Sequence, residues 1–379
     1  MMRACPADFA RLAGYLGFSC DDDSWVKLRN PLTLAHWTMP VVELLMLIGA
    51  ALALAYALRR VRRDPTGIAI WLASLVYALV TELPRHPPDL FAGTRLGVMM
   101  VHNVFSVDFV DGRLPLYIVA LYPATITLAY DIVRATGVFE RRGAVVGAIC
   151  VGFVHGCVYG VFDHLGPQLR WWVWNSANPL NHPTLGCVPV SSWVSLAVVG
   201  PAAVAFLVHV LVERRVAAGT PPGLLSLAWR IPVISVLAPV IMGVLSLPTL
   251  LSAHHSAMQY AVLGVEVAVF TFVAVPVLIQ DWRITRRVGT QHPSQYVRVF
   301  GVLGPVEALM EMTAFVVALV ANFSKLAAPS PWSLPAAARA SRSAGAGPSR
   351  FRPWPPSSRI AAARSCSRPA TFASRSTSV

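Results

Sequence analysis

Oily runs separated by short polar breaks dominate the chain, and each run is long enough to cross a lipid bilayer, whose hydrocarbon core asks for roughly 20 apolar residues. Eight such windows occur, at approximately 38–58, 66–83, 115–133, 144–162, 188–211, 230–251, 258–280 and 299–321. The pattern predicts an all-α, polytopic transmembrane helix bundle with about eight spanning helices. Prolines 123, 201, 239 and 276 fall inside four of the windows. Kinks are expected there, because neighbouring helices can satisfy the carbonyls that proline frees. A further apolar stretch, "GVMMVHNVFSVDFV" at 97–110, is too short to span and predicts a re-entrant or interface-lying segment.

The breaks between windows carry an orientation signal. Arg59, Arg60, Arg62 and Arg63 crowd the first, Arg134, Arg141 and Arg142 the third, Arg214 and Arg215 the fifth, and Arg283, Arg286, Arg287 and Arg298 the seventh. Cytoplasmic loops are enriched in arginine and lysine, so the odd loops are expected in the cytoplasm, the N-terminus outside it, and the protein in the cell membrane. Residues 1–37 then form an extracytoplasmic segment and 38–325 the membrane domain. Asp21, Asp22 and Asp23 interrupt the chain before the first oily run, so no cleaved signal peptide is expected. From 326 to 379 the texture turns to Ser, Arg, Pro and Ala, which cannot bury enough apolar surface to order itself. That tail is expected to be a disordered basic segment or a stretch read in a shifted frame.

Composition agrees with a membrane protein: 55% of residues are hydrophobic, only 13% are charged, and the mean hydropathy is +0.59. Soluble domains carry roughly 25% charged residues. The net charge of +13 does not alter the picture, because eight arginines lie after residue 325, leaving +5 for the rest. No nucleic-acid-binding motif accompanies the charge, so no nucleic-acid partner is expected. The six cysteines form neither a CxxC pair nor a metal-spaced comb with histidine, so no metal and no cofactor is expected.

Candidate chemistry gathers in "FDHLGPQLRWWVW", residues 162–174. His155, Tyr159 and Asp163 recur every fourth residue and share one stripe of the fourth predicted helix. Gly152, Gly156 and Gly160 form a second stripe about 60° away. Glycines at this spacing let two helix backbones approach closely, within one chain or between copies in an oligomer. Trp171, Trp172 and Trp174 follow, and they suit either an aromatic belt at the membrane boundary or the wall of a site. Ionisable groups at membrane depth are costly and mark functional candidates, among them Glu82, Asp163, His155, His164 and, deeper, Glu266, Glu307 and Glu311.

Several membrane chemistries are absent by motif: no clustered histidine boxes, no HExxH, no convincing GxS nucleophile, no Walker loop and no Rossmann glycine pattern. The segments "GRLPLYIVALYPATITLAYD" (112–131), "YGVFDHLGPQLRWWVW" (159–174) and "GCVPVSSW" (186–193), with Glu82 ahead of them, resemble the membrane-bound carotenoid hydratases of bacteria and archaea (the bisanhydrobacterioruberin type) over about 110 residues. The matching positions are Glu82, Leu114 to Leu116, Tyr122 and Pro123, Asp163, Trp172 and Trp174, and Gly186 to Trp193. Tyr159 stands where the family carries a first aspartate, and "LPRHPP" follows Glu82 in place of a tryptophan and a glycine-rich turn. The resemblance implies acid-catalysed addition of water to an isoprenoid double bond. Asp163 or Glu82 would be the acid, His155 or His164 would orient the water, and Tyr122, Tyr159, Trp171, Trp172 and Trp174 would contact substrate. The residues themselves leave two other roles open: a carrier or receptor for a small or lipidic ligand, and an assembly protein using its glycine stripe.

Overall fold

The computed structural model describes residues 7–19, 25–83, 98–110, 112–186, 188–252 and 255–288. The eighth window with Glu307 and Glu311, the 326–379 tail, and Cys5, Cys20 and Cys187 lie outside them. Within them the bundle comprises α2 (Thr38–Arg60), α3 (Thr66–Glu82), α4 (Leu116–Ala135), α5 (Val138–Gln168), α6 (Val190–Ala217), α7 (Leu224–Leu245) and α9 (Ser256–Val288), with a short α1 (Ala7–Leu16) before it and α8 (Leu247–Leu251) between α7 and α9. Six of these helices are long and apolar enough to cross a membrane, and α3, at 17 residues, is apolar but shorter. Multiple membrane passes follow.

Helices α4 and α6 are mostly buried inside the protein, whereas α2, α7 and above all α9 leave wide apolar faces uncovered. Helix α4 packs on α2, α3 and α5, and α6 is wedged among α3, α5 and α7. Four tyrosines, Tyr77, Tyr117, Tyr122 and Tyr130, are among the largest fully buried side chains. Their hydroxyls find protein partners, as a polar group cut off from water must: Tyr77 gives its proton to Met242 Sδ at 3.1 Å and Tyr130 to Glu213 Oε2 at 2.7 Å.

Three irregularities matter. Helix α5 is broken at Gly143, whose φ of +82° only glycine takes readily, so its straight part begins at residue 144. Helix α6 contains two π-helical stretches, Trp193–Val199 and His209–Glu213. The first runs up to Pro201, which has no N–H for the carbonyl of Ala197, and the Gly200 N–H reaches back five residues to Ser195 O. The predicted kink at 201 is thus a change of helical register.

The two ends of the bundle are closed differently. At one end, ion pairs tie the odd connections together. Arg134 of α4 bonds Asp64 at 2.6 Å and Glu213 of α6 at 2.5 Å, His209 meets Glu213 at 2.6 Å, and Arg141 and Arg142 hold Asp281 of α9 at 2.8 and 3.4 Å. Burial pushes the Asp64 carboxyl up, but Arg134 and the Thr66 N–H outweigh it and hold it below its usual range. At the other end three small antiparallel sheets form a cap. The first has order β1–β3–β4, from β1 (Val26–Leu28), β3 (Val107–Phe109) and β4 (Leu114–Pro115). The second pairs β2 (Met100–His102) with β5 (Trp172–Trp174), and the third is the hairpin of β6 (Thr184–Leu185) and β7 (Val188–Pro189). The 97–110 stretch, expected to be re-entrant or interface-lying, therefore supplies two extended strands over its described residues, because its backbone groups find partners in segments 25–29 and 171–175. The described part of the N-terminal segment joins the same cap through α1 and β1.

Replacing Arg134 with alanine leaves Glu213 and Asp64 without their cation. Removing one partner of a fully buried pair costs about 3–5 kcal/mol. Arg134 keeps 27% side-chain exposure, so a loss of about 2 kcal/mol is expected, read as a lowered Tm of the purified protein in nanodiscs.

Candidate functional site

The β2–β5 ribbon positions the site. Alternation along a strand sends successive side chains to opposite faces. Val101 and Val173, paired across the ribbon, point away from the bundle into a cluster with Phe9, Leu12 and Leu16 of α1. Met100, His102, Trp172 and Trp174, on the other face, line a cavity completed by Glu82, Ile118, Leu121, Tyr122, Tyr159, Phe162, Asp163 and Leu196. Its free space is about what one water molecule needs.

Asparagines hold the ribbon in place. The Asn103 N–H bonds Trp171 O at 2.8 Å and its side-chain amide bonds Arg170 O at 2.9 Å. Asn175 and Asn181 give their side-chain amides to Val98 O and Met99 O at 2.8 and 2.6 Å. Beneath the cap, the Glu43 carboxylate accepts the Ser106 and Val107 N–H groups, each at 3.2 Å. Asp108 accepts from Arg29 and from the Phe105 N–H. These residues position the cap and carry no sequence motif.

Two carboxyls enter the cavity from different helices. Glu82, at the end of α3, accepts a hydrogen bond from Tyr122 Oη of α4. Asp163, in α5, accepts at Oδ2 from Ser192 Oγ at 3.2 Å, at the point where the π-helical stretch of α6 begins. Aromatic rings form the wall: Phe162 lies 4.9 Å from Trp172 and 5.8 Å from Tyr159, and His102 lies 5.8 Å from Trp172 by ring centroids. Tyr117 stands behind His102, its hydroxyl 3.4 Å from the ring nitrogen Nδ1.

Six residues singled out from sequence thus line one cavity: Glu82, Tyr122, Tyr159, Asp163, Trp172 and Trp174. Three others do not line it. His155 is fully buried and gives Nδ1–H to Ala197 O at 2.7 Å, the carbonyl that Pro201 leaves without an N–H, while its Nε2 faces Thr125 Oγ1 at 3.0 Å. His164 bonds Gly160 O at 2.8 Å and packs under the Gly186 turn of the β6–β7 hairpin. Trp171 gives Nε1–H to Thr38 Oγ1 at 3.0 Å and so fastens the loop to the start of α2. An aromatic belt does not describe this loop either, since Trp171 and Trp172 are buried; among the described residues the exposed tryptophans are Trp25, Trp37, Trp229 and Trp282.

The glycine stripe is occupied within the chain. A Cβ at Gly152 would meet Val198 O at 2.8 Å and Phe270 of α9, and one at Gly156 would meet Val198 at 3.0 Å, so this face seats α6 and is not free for a second copy. Gly166 has the sharper role, because a Cβ there would overlap the Trp172 ring itself. Glu266 lies in α9, away from the cavity, with Oε2 buried and without a hydrogen bond among the described residues. Among the described residues no three His, Cys, Asp or Glu side chains come together as a metal-binding set. No family model, curated protein or solved structure matches this chain.

Two outcomes follow. Gly166→Ala is expected to push Trp172 out of the cavity wall and lower stability by about 1–3 kcal/mol, the cost of overpacking, measured by thermal unfolding and by a change in tryptophan fluorescence. Burial raises the Asp108 carboxyl to about 6, against the pull of the Phe105 N–H and Arg29 and with a further push from Glu43. The folded protein then binds this proton more readily than the unfolded chain. Asp108 should therefore favour folding most below pH ~4 and lose that contribution as pH rises through ~6. Unfolding of the wild type and Asp108→Asn compared between pH 4 and 7.5 should show the wild type losing about 2–3 kcal/mol relative to the variant as pH rises.

Proposed function

We propose that this multi-pass membrane protein adds water to a carbon–carbon double bond of an isoprenoid lipid by acid catalysis, as its resemblance to the carotenoid hydratases implies. The observation that supports this reading best is the convergence of two carboxyls, Glu82 and Asp163, with an aromatic wall around space for one water. The arginine asymmetry supports a cytoplasmic ion-pair end, with the cavity on the opposite side at the boundary of the cell membrane.

The arrangement divides the roles of the carboxyls. Glu82 accepts a hydrogen bond from Tyr122 Oη and serves as the base. Asp163 has Oδ2 engaged by Ser192, and its other oxygen carries the acidic proton. Asp163 gives that proton to the alkene, and the tertiary cation that forms faces the rings of Phe162, Trp172 and Trp174. The water oxygen bonds the cationic carbon and its proton passes to Glu82. A following water returns the proton from Glu82 to Asp163, so the cycle needs no cofactor. The reacting end of the isoprenoid needs more room than one water. Met100, half-buried at the edge of the ribbon and the most pliable of the lining side chains, is the one that yields.

The test is expression in a host that accumulates acyclic isoprenoids, with lipid extracts read by mass spectrometry for a product heavier by one water. Asp163→Asn is expected to lower turnover by about 10²–10⁴-fold while the protein stays folded and membrane-inserted. Undiminished product from that variant removes Asp163 as the acid. Stabilisation of the wild type by the same lipids without any product would make the protein a carrier or receptor.

A further inference from the structure

The three tryptophans of the cap loop differ in what their indole N–H groups touch. Trp171, outside the cavity, is satisfied by Thr38 Oγ1. Trp172 and Trp174, on the cavity face of β5, each have a buried Nε1 with no hydrogen-bond partner among the described residues. Trp172 is only 2% exposed, so bulk water does not serve it. Leaving a buried donor without an acceptor is costly, and this loop carries two of them, two residues apart on one strand face. Gly166 is kept clear of side-chain atoms where the Trp172 ring sits, and the asparagine-held ribbon fixes both backbones.

We infer that the indole N–H groups of Trp172 and Trp174 form a binding site for one neutral oxygen atom, the reacting water in the hydration reading. The occupant's chemistry follows from its surroundings. Two donors ask for lone pairs, which excludes a simple cation. Glu82 and Asp163 share the cavity, so an anion would meet like charge. The space admits one water or one hydroxyl. An oxygen held by indole donors keeps its own hydrogens for the carboxyls. In the hydration step one indole bond opens, the released lone pair forms the C–O bond, and the water proton goes to Glu82. Trp172 and Trp174 thereby act as donors that place the nucleophile, besides facing the cation. Only the identification of the oxygen as the reacting water rests on the hydration reading; the oxygen site does not.

The full chain in nanodiscs, with ¹⁵N-labelled indoles, tests this by cross-relaxation between indole N–H protons and water. The two signals lost in Trp172→Phe and Trp174→Phe are expected to contact water, whereas the signal lost in Trp171→Phe is not. If a phenylalanine variant does not fold, the wild-type spectrum still decides: a protein in which no buried indole contacts water overturns the site, unless adding geranylgeraniol brings both signals to the shift of hydrogen-bonded indoles, which assigns the oxygen to a lipid hydroxyl. Trp172→Phe keeps the ring and is expected to lower hydration kcat about tenfold with little change in KM. Unchanged kcat beside intact water contacts overturns the catalytic part alone. Absence of any hydration product from the wild type, with the water contacts present, overturns the hydration reading and leaves the oxygen site standing.

Discussion

The close approach of α5 to α6 is the constraint from which the interior follows. Gly152 and Gly156 bring the α5 backbone against Val198, and a side chain at either position would force the helices apart. At that separation His155 reaches Ala197 O and Asp163 reaches Ser192, both across the same interface. Without water in an apolar interior, each polar group must find its partner in the protein. The glycines therefore act less as a dimerisation device than as the spacing that lets two buried polar side chains be satisfied. The π-helical stretch of α6 belongs to the same contact, since the proline that follows it frees the carbonyl that His155 takes.

Most of the charged groups gather at the two ends, and the ends are built on different principles. One is closed by charge: Arg134, Asp64, Glu213, Arg141, Arg142 and Asp281 join four connections by ion pairs. The other is closed by backbone hydrogen bonds of short strands and by amides of asparagine. Charge at the first end keeps it hydrated and pinned. At the second the Arg29–Asp108 pair lies outside the cavity, and among the residues lining the cavity there is neither lysine nor arginine.

Hydropathy alone made the helices of the described bundle legible, including the start of the straight part of α5 just after Gly143. It left the cap invisible. Strands of two or three residues vanish in a window wide enough to detect a span, and the pairing of Met100–His102 with Trp172–Trp174 joins segments some seventy residues apart. Sequence order along the resembling segments picked out Glu82, Tyr122, Asp163, Trp172 and Trp174, which the fold gathers. His155 shows the limit of reading polarity at depth. A histidine that caps a proline-freed carbonyl and one that serves a substrate present the same signal in one dimension, and only Pro201 on the facing helix separates them. Arg134 illustrates the converse: read as a marker of topology, it is the centre of an ion-pair cluster.

Gly143 has a mechanical consequence. A straight helix over all 31 residues of α5 would extend about 46 Å, well beyond the hydrocarbon thickness of about 30 Å, and would carry its first turn off into solvent. The break at one residue turns that first turn aside, so that Arg141 and Arg142 face Asp281 and clamp the far end of α9. The helix with the widest lipid-facing surface is thus moored by a bend in another helix. A single glycine torsion in α5 takes part in fastening α9 to the bundle.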